Sequence, residues 1–403
     1  MLVYPNYKKS VINVIASVRK FYRIGTNVPT LPEIDNVLRR MYKNVVLIIL
    51  GGAGENMFKD CLSPTDALME NMTGYVTSVC PCCPAAADVS CLTGLSPAQH
   101  GRLGQTMFFK ELCRTVELSS NLDPYSNQPV AFANIADFVM PYENIFGEIA
   151  DSIIGGVQPF SIAPKGIKIA ENKSYHKVAE TPARMFDLID KIADTDQNTF
   201  TFVSWDTPAK AAAKYGCKSE QVRQILKDIA DTVGGLSRTL TDTVFILTSS
   251  YGMTDISEEY MLNLRPAICD CLVMPPSFGG RSVNFFVKYD RRSDFERLFT
   301  ENFSEDFMLM SRTEILRREL FGTGRLTGKI YDFLGDYCAF AISDKSLKFR
   351  ALNEKHRPAD KAGFGGFTSD EMCMPLAVIG TKQTAKWKRP FVENITPTNN
   401  DEE

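Results

Sequence analysis

Apolar runs broken by turns set the plan of this chain. Asn44-Val-Val-Leu-Ile-Ile-Leu50 is continuous and β-branched, the pattern of a strand covered on both faces in a parallel sheet. Gly51, Gly52 and Gly54 mark a tight turn at its carboxyl end. Thr243-Val-Phe-Ile-Leu-Thr248 repeats the pattern and turns at Tyr251-Gly252. Residues 75–79, 157–162, 200–205 and 375–380 read as further strands. Helices are expected between them over 8–22, 33–42, 63–72, 84–92, 141–154, 181–193 and 219–240. Those at 63 and 84 carry Pro in the first turn, and Ser63 is placed to cap the first. Strands alternating with helices predict an α/β fold with a mostly parallel sheet and helices on both faces. In such sheets ligands bind beyond the carboxyl ends of the strands. The turns after Leu50, Val79, Trp205 and Thr248 are therefore the places to look for chemistry.

Between 255 and 345 the pattern changes. Pro275-Pro276 and Gly279-Gly280 punctuate loops, with a strand expected over 283–287, a helix over 293–302 and a strand over 337–342. The expected organisation is an N-terminal helical extension (1–40), an α/β core (41–254 and 346–390), a smaller inserted cap-like lobe (255–345) and a frayed tail (391–403).

Composition narrows the chemistry. The 403 residues are 44% hydrophobic, enough for a large core. Lys and Arg total 45 against 48 Asp and Glu, so the net charge of −3 offers no electrostatic case for a nucleic-acid partner. No apolar stretch is long enough to span a membrane. There are 11 Cys and 3 His. The cysteine count is odd and the spacing irregular, which reads as reduced, mostly buried thiols in a cytoplasmic protein. Cys80 and Cys83 have knuckle spacing but no second such pair answers them; their meeting Cys269-Asp-Cys271 in space to bind a metal is the minor reading.

Lys43-Asn-Val-Val-Leu-Ile-Ile-Leu-Gly-Gly-Ala-Gly54, followed by Leu92-Thr-Gly-Leu-Ser-Pro-Ala-Gln-His-Gly101, resembles the alkaline phosphatase superfamily. The likeness is closest to its type I phosphodiesterase/nucleotide pyrophosphatase branch. Trp205-Asp-x-Pro, Lys214-Tyr-Gly216 and Leu247-Thr248 with Gly252 follow in the same order, and the resemblance covers about residues 43 to 380. It implies an alkaline-phosphatase-like fold, two divalent metals (usually zinc) and a Thr or Ser nucleophile, with the metals clamping attacking and leaving oxygens.

Carried over residue by residue, the resemblance puts Gly51 at the first metal-binding Asp and Pro84 at the nucleophile, nine residues before Thr93. Ala209 and Ala213 stand at the Asp and His that precede Tyr-Gly. Ser250 and Tyr251 replace the Asp-His pair, and Phe364 replaces the last His. None of these side chains is a serviceable ligand or nucleophile. No metal site and no cofactor are therefore expected. His100 belongs to the Pro-x-x-His-Gly turn and reads as structural; His176 and His356 read as exposed loop histidines.

What remains is thinner. Cys83 begins the 84–92 helix, where the helix N-terminus would favour a thiolate. Glu55, Asp88 and Asp206 are placed to rim the pocket, holding a hard cation or pairing with Lys210 or Lys361. Gln105 is expected to face the crevice, and Arg102 to pair with a phosphate or a surface carboxylate. Gly51-Gly-Ala-Gly54 lacks the register and lysine of a nucleotide cradle. The leading reading is a catalytically inactive family member, natural or with an engineered site, that binds a small molecule or a protein or serves a structural role. The alternative is an active metal-dependent phosphoric-ester hydrolase with a rebuilt site, for which Cys83 is the candidate residue. The ligand and the oligomeric state are not legible.

Overall fold

The computed structural model describes residues 1–153, 155–167, 169, 175–350 and 359–384. His356 and the 391–403 tail lie outside them. Seven strands form the main sheet: β1 (Asn44–Gly52), β2 (Met72–Thr77), β3 (Val157–Ala163), β4 (His176–Val178), β5 (Asn198–Trp205), β6 (Thr243–Gly252) and β7 (Cys373–Gly380). Their order is β2-β7-β6-β1-β5-β3-β4. β1 lies parallel to both β5 and β6, with Leu47 between Phe202 and Ile246. The β5–β3 and β3–β4 pairs are also parallel, and only β7 runs against its neighbours. Every residue of β1 and β6 is buried, as an unbroken apolar run requires.

Two groups of helices cover the sheet. On one side α1 (Val11–Phe21) packs on α2 (Pro84–Thr93), and both touch β6. On the other, α3 (Thr207–Tyr215) lies on β1 and against α4 (Glu220–Thr239). Val11, Val14, Ile15 and Val18 of α1 are fully buried, so the N-terminal segment contributes directly to the main core.

Several predicted helices are shorter than expected, 8–22 forming Val11–Phe21 and 33–42 forming Pro32–Leu38, and two are cut back most. Over 63–72 only Ala67–Glu70 is helical. Asp66 turns back to accept the Ser63 N–H at 2.7 Å, and β2 begins at Met72. The turn thereby displaces Ser63 as cap. Over 141–154 the helix is Ile145–Ala150, because the Asn144 side chain, not Pro141, sets its start by accepting the Phe146 N–H.

A second, antiparallel sheet orders Phe307–Ser311, Tyr337–Ala341, Ser282–Phe285, Ser277–Phe278, Thr106–Phe109 and Arg114–Glu117. Its last two strands come from residues before 255, so the lobe is not built from the 255–345 segment alone. Phe285, Phe295, Phe299, Phe303 and Phe307 form its separate core. Arg281 and Glu371 tie this sheet to the segment entering β7. Their side chains are 1% and 0% exposed and meet through two hydrogen bonds of 2.7 and 2.8 Å. Among the described residues no helix is long and apolar enough to cross a membrane.

Candidate functional site

The carboxyl ends of β1, β5 and β6 converge, and the seven positions singled out in the sequence converge with them. A Cβ on Gly51 would point at the Tyr251 hydroxyl, 3.2 Å away, and at Asp206. Gly52 sits against Ala209, where a Cβ would lie 2.6 Å from the Ala209 methyl. The Tyr251 ring meets the Phe364 ring edge-on, with centroids 5.2 Å apart. Phe364 is delivered by a short strand, Ala362–Gly363, paired with Thr254–Asp255; just before it, the Lys361 N–H donates to the Ala213 carbonyl at 2.7 Å. Pro84 opens α2, with Cys83 as its cap.

This donor set does not fit two divalent metals. Gly, Ala, Pro and Phe bring no ligand atom, and Tyr251 is buried against an aromatic ring. Among the described residues no group of three or more His, Cys, Asp or Glu is placed to hold a metal ion. The glycines have a packing role instead: Cβ atoms on Gly54 and Gly252 would strike the Asp370 carbonyl at 2.2 and 2.0 Å. The turn can close only without side chains there.

Electrostatics overturn the expectation for Cys83. Burial pushes its thiol up to about 12, the Ala86 backbone N–H only partly opposes this, and Asp88 adds to it. The helix N-terminus does not prevail over desolvation, so the thiol stays protonated near neutral pH. Iodoacetamide at about pH 7.5 is expected to label exposed Cys113 in the native protein and Cys83 only after denaturation, read by peptide mass mapping. Rapid native labelling of Cys83 would refute this.

Asp88 is the perturbed acid of the site. It keeps a fraction of its surface on a cavity but has little bulk water around it. Burial raises its carboxyl to about 7; the Ser250 hydroxyl opposes the shift and the nearby Asp206 charge adds to it. Asp206 has one oxygen paired with Lys210 at 2.8 Å, while its Oδ1 is buried with no partner. Tyr251 is raised as well, first by burial and then by Asp88 and Asp206.

Two cavities open at the crevice, and Phe364 borders the larger. A cleft of about 380 Å³ is bordered by Phe364, Ala213 and Arg281. A cavity of about 250 Å³ is bordered by Pro84, Asp88 and Arg102. Gln105 lines both, its Oε1 accepting the Ala85 N–H at 2.9 Å. Asp88 and Gln105 thus both line the smaller cavity. Glu55, Asp206 and Lys210 line neither cavity. Glu55 turns to Lys59 at 2.8 Å, and Asp206 gives its Oδ2 to Lys210.

The two described histidines are held by hydrogen bonds to serines. His100 is buried, which together with the Arg102 charge holds it down at about 3. Its Nδ1 accepts the Arg102 N–H, which assigns the proton to Nε2, 3.1 Å from Ser90 Oγ. His176 is not in a loop: it lies in edge strand β4, half-buried, with Nδ1 2.9 Å from Ser161 Oγ. Arg102 pairs with a carboxylate, Asp137, at 2.5 Å, and lies 4.8 Å over the Tyr142 ring. Sequence reasoning missed the Arg281–Glu371 pair. The available signal was a single Glu set directly before the apolar run that becomes β7.

The model of the family "Type I phosphodiesterase / nucleotide pyrophosphatase" matches residues 45–295. Murine ectonucleotide pyrophosphatase/phosphodiesterase 5 is similar in structure, with TM-score 0.59 and 15% identity over 84% of this chain and 91% of that one. Its human counterpart gives TM-score 0.58 and 14% identity over the same shares. Phosphonoacetate hydrolase from Sinorhizobium meliloti 1021, in complex with phosphonoformate, gives 0.56 and 14% over 86% and 91%. At these identities the likeness establishes the fold. No curated protein matches the chain.

Proposed function

Because the chain belongs to the type I phosphodiesterase/nucleotide pyrophosphatase family, while the seven positions matched to that family's metal ligands and nucleophile carry Gly, Pro, Ala, Ser, Tyr and Phe, we propose that it is a non-catalytic member that binds a small ligand. The observation that carries this reading is the Tyr251–Phe364 ring pair standing where metal ligands are expected, with Gly51 and Pro84 beside it. Aromatic rings supply neither the charge nor the lone pairs that a divalent cation requires. Cys83 as a replacement nucleophile is disfavoured by its burial and its raised thiol. The two cavities, one bordered by Phe364 and the other by Pro84, support binding without turnover.

The test combines elemental analysis with an assay. The purified protein is expected to carry no stoichiometric zinc or manganese. Bis(p-nitrophenyl) phosphate and p-nitrophenyl phosphate are expected to be hydrolysed no faster than in buffer, with either metal added. About two bound equivalents of metal, or turnover abolished by Asp206→Asn or Glu55→Gln, would overturn the proposal.

A further inference from the structure

The smaller cavity has a wall chemistry that the family chemistry does not use. Ile49, Val89, Leu92, Leu118, Ile169 and Phe202 make most of it apolar. Arg102 is the only Lys or Arg among its described lining residues. That arginine is 8% exposed, its Nε has no hydrogen-bond partner, and its carboxylate partner Asp137 is 64% exposed at the side chain. A buried guanidinium has five N–H donors, and a single solvent-screened carboxylate leaves it under-satisfied. Gln105 spends its carbonyl on the Ala85 N–H, which leaves its amide N–H₂ to donate into the cavity. Ser204 adds a hydroxyl on the same wall.

Unspent donors therefore stand beside a positive charge in this wall. Asp88 lines the same cavity and Asp206 lies close behind it. With Asp137 already paired to Arg102 and Asp88 on the same wall, negative charge weighs against a doubly charged phosphate more than against a monoanion. We propose that this cavity binds a small monoanion with an apolar body, a carboxylic acid rather than a phosphate ester, its carboxylate held by Arg102 and the Gln105 amide. The inference rests on reading the crevice as a binding site without catalysis.

The experiment uses the full chain and isothermal titration with three probes of similar size: phenylacetate, its neutral amide phenylacetamide, and phenyl phosphate. Phenylacetate is expected to bind about tenfold tighter than either of the others, the discrimination that one charged contact supplies. Arg102→Met is expected to abolish this preference. Since Arg102 also packs under Tyr142, Ala85→Phe provides an independent check: it fills the cavity from a half-buried wall position and should eliminate phenylacetate binding while thermal unfolding stays cooperative. Equal affinity for all three probes, no phenylacetate binding, or binding that survives Ala85→Phe would overturn the inference alone. Turnover of phenyl phosphate would overturn the non-catalytic reading as well, so the two failures are told apart by whether product forms.

Discussion

Replacing Arg281 with methionine is expected to destabilise the protein by about 3–5 kcal/mol, the cost of leaving one partner of a buried ion pair uncompensated. Glu371 is 0% exposed. Without the guanidinium it keeps only the Gly366 N–H at 2.8 Å and the Thr368 hydroxyl at 2.7 Å. Two neutral donors do not replace a bidentate cation. The arginine also donates to the Lys345 and Ser343 carbonyls, so its loss strands two further acceptors. Urea denaturation should show a lower midpoint with an unchanged slope. The double variant Arg281→Met/Glu371→Leu should recover much of the loss, because an apolar pair needs no desolvation of charge. A single-variant loss below about 1 kcal/mol would put this pair in the range of surface ion pairs and refute the prediction. Arg281 also lines the larger cleft, so the same contact that joins the second sheet to the entry of β7 shapes the crevice wall.

The main sheet was legible because β1 and β6 are covered on both faces, which leaves an unmistakable apolar run. The 63–72 segment misled because Ser-Pro followed by a helical composition fits two starts. The Asp66 turn onto Ser63 decided between them, and α4 reinforces it through Lys227. The losses at the site were readable as residue types. What fills the space was not, since Tyr251 and Phe364 lie far apart in sequence and meet only through the Ala362–Gly363 strand. Glu55–Lys59 and Asp206–Lys210 are i,i+4 pairs, so local spacing already favoured these partners over a shared cation. Cys83 shows a different limit. A helix end contributes roughly 0.3–1 kcal/mol, and sequence gives no measure of the desolvation that outweighs it here.

Asp88→Asn is expected to stabilise the protein by about 2–4 kcal/mol near pH 8 and by almost nothing near pH 4. The carboxyl is raised from its ordinary 3.8 to about 7 in the folded chain, chiefly by burial. Between these values the folded state binds more protons than the unfolded one. Stability therefore falls as pH rises through this window, and the full cost is present above about 7. A rise of that size corresponds to at most about 4 kcal/mol, and the face Asp88 keeps on the cavity lowers it. Asparagine holds nearly the same shape, stays neutral and can still bond the Ser250 hydroxyl. His100 pulls the other way: held at about 3, it loses stability as pH falls below its ordinary 6.5. It does so in both proteins and cancels in the difference. Denaturant titrations at the two pH values check the sign, and a gain independent of pH, or a loss near pH 8, would refute it. A neutral residue would thus make a more stable protein at this position. A carboxylate held there at a cost, in the wall of a cavity that a buried arginine also lines, is what a ligand site carries and a merely packed core does not.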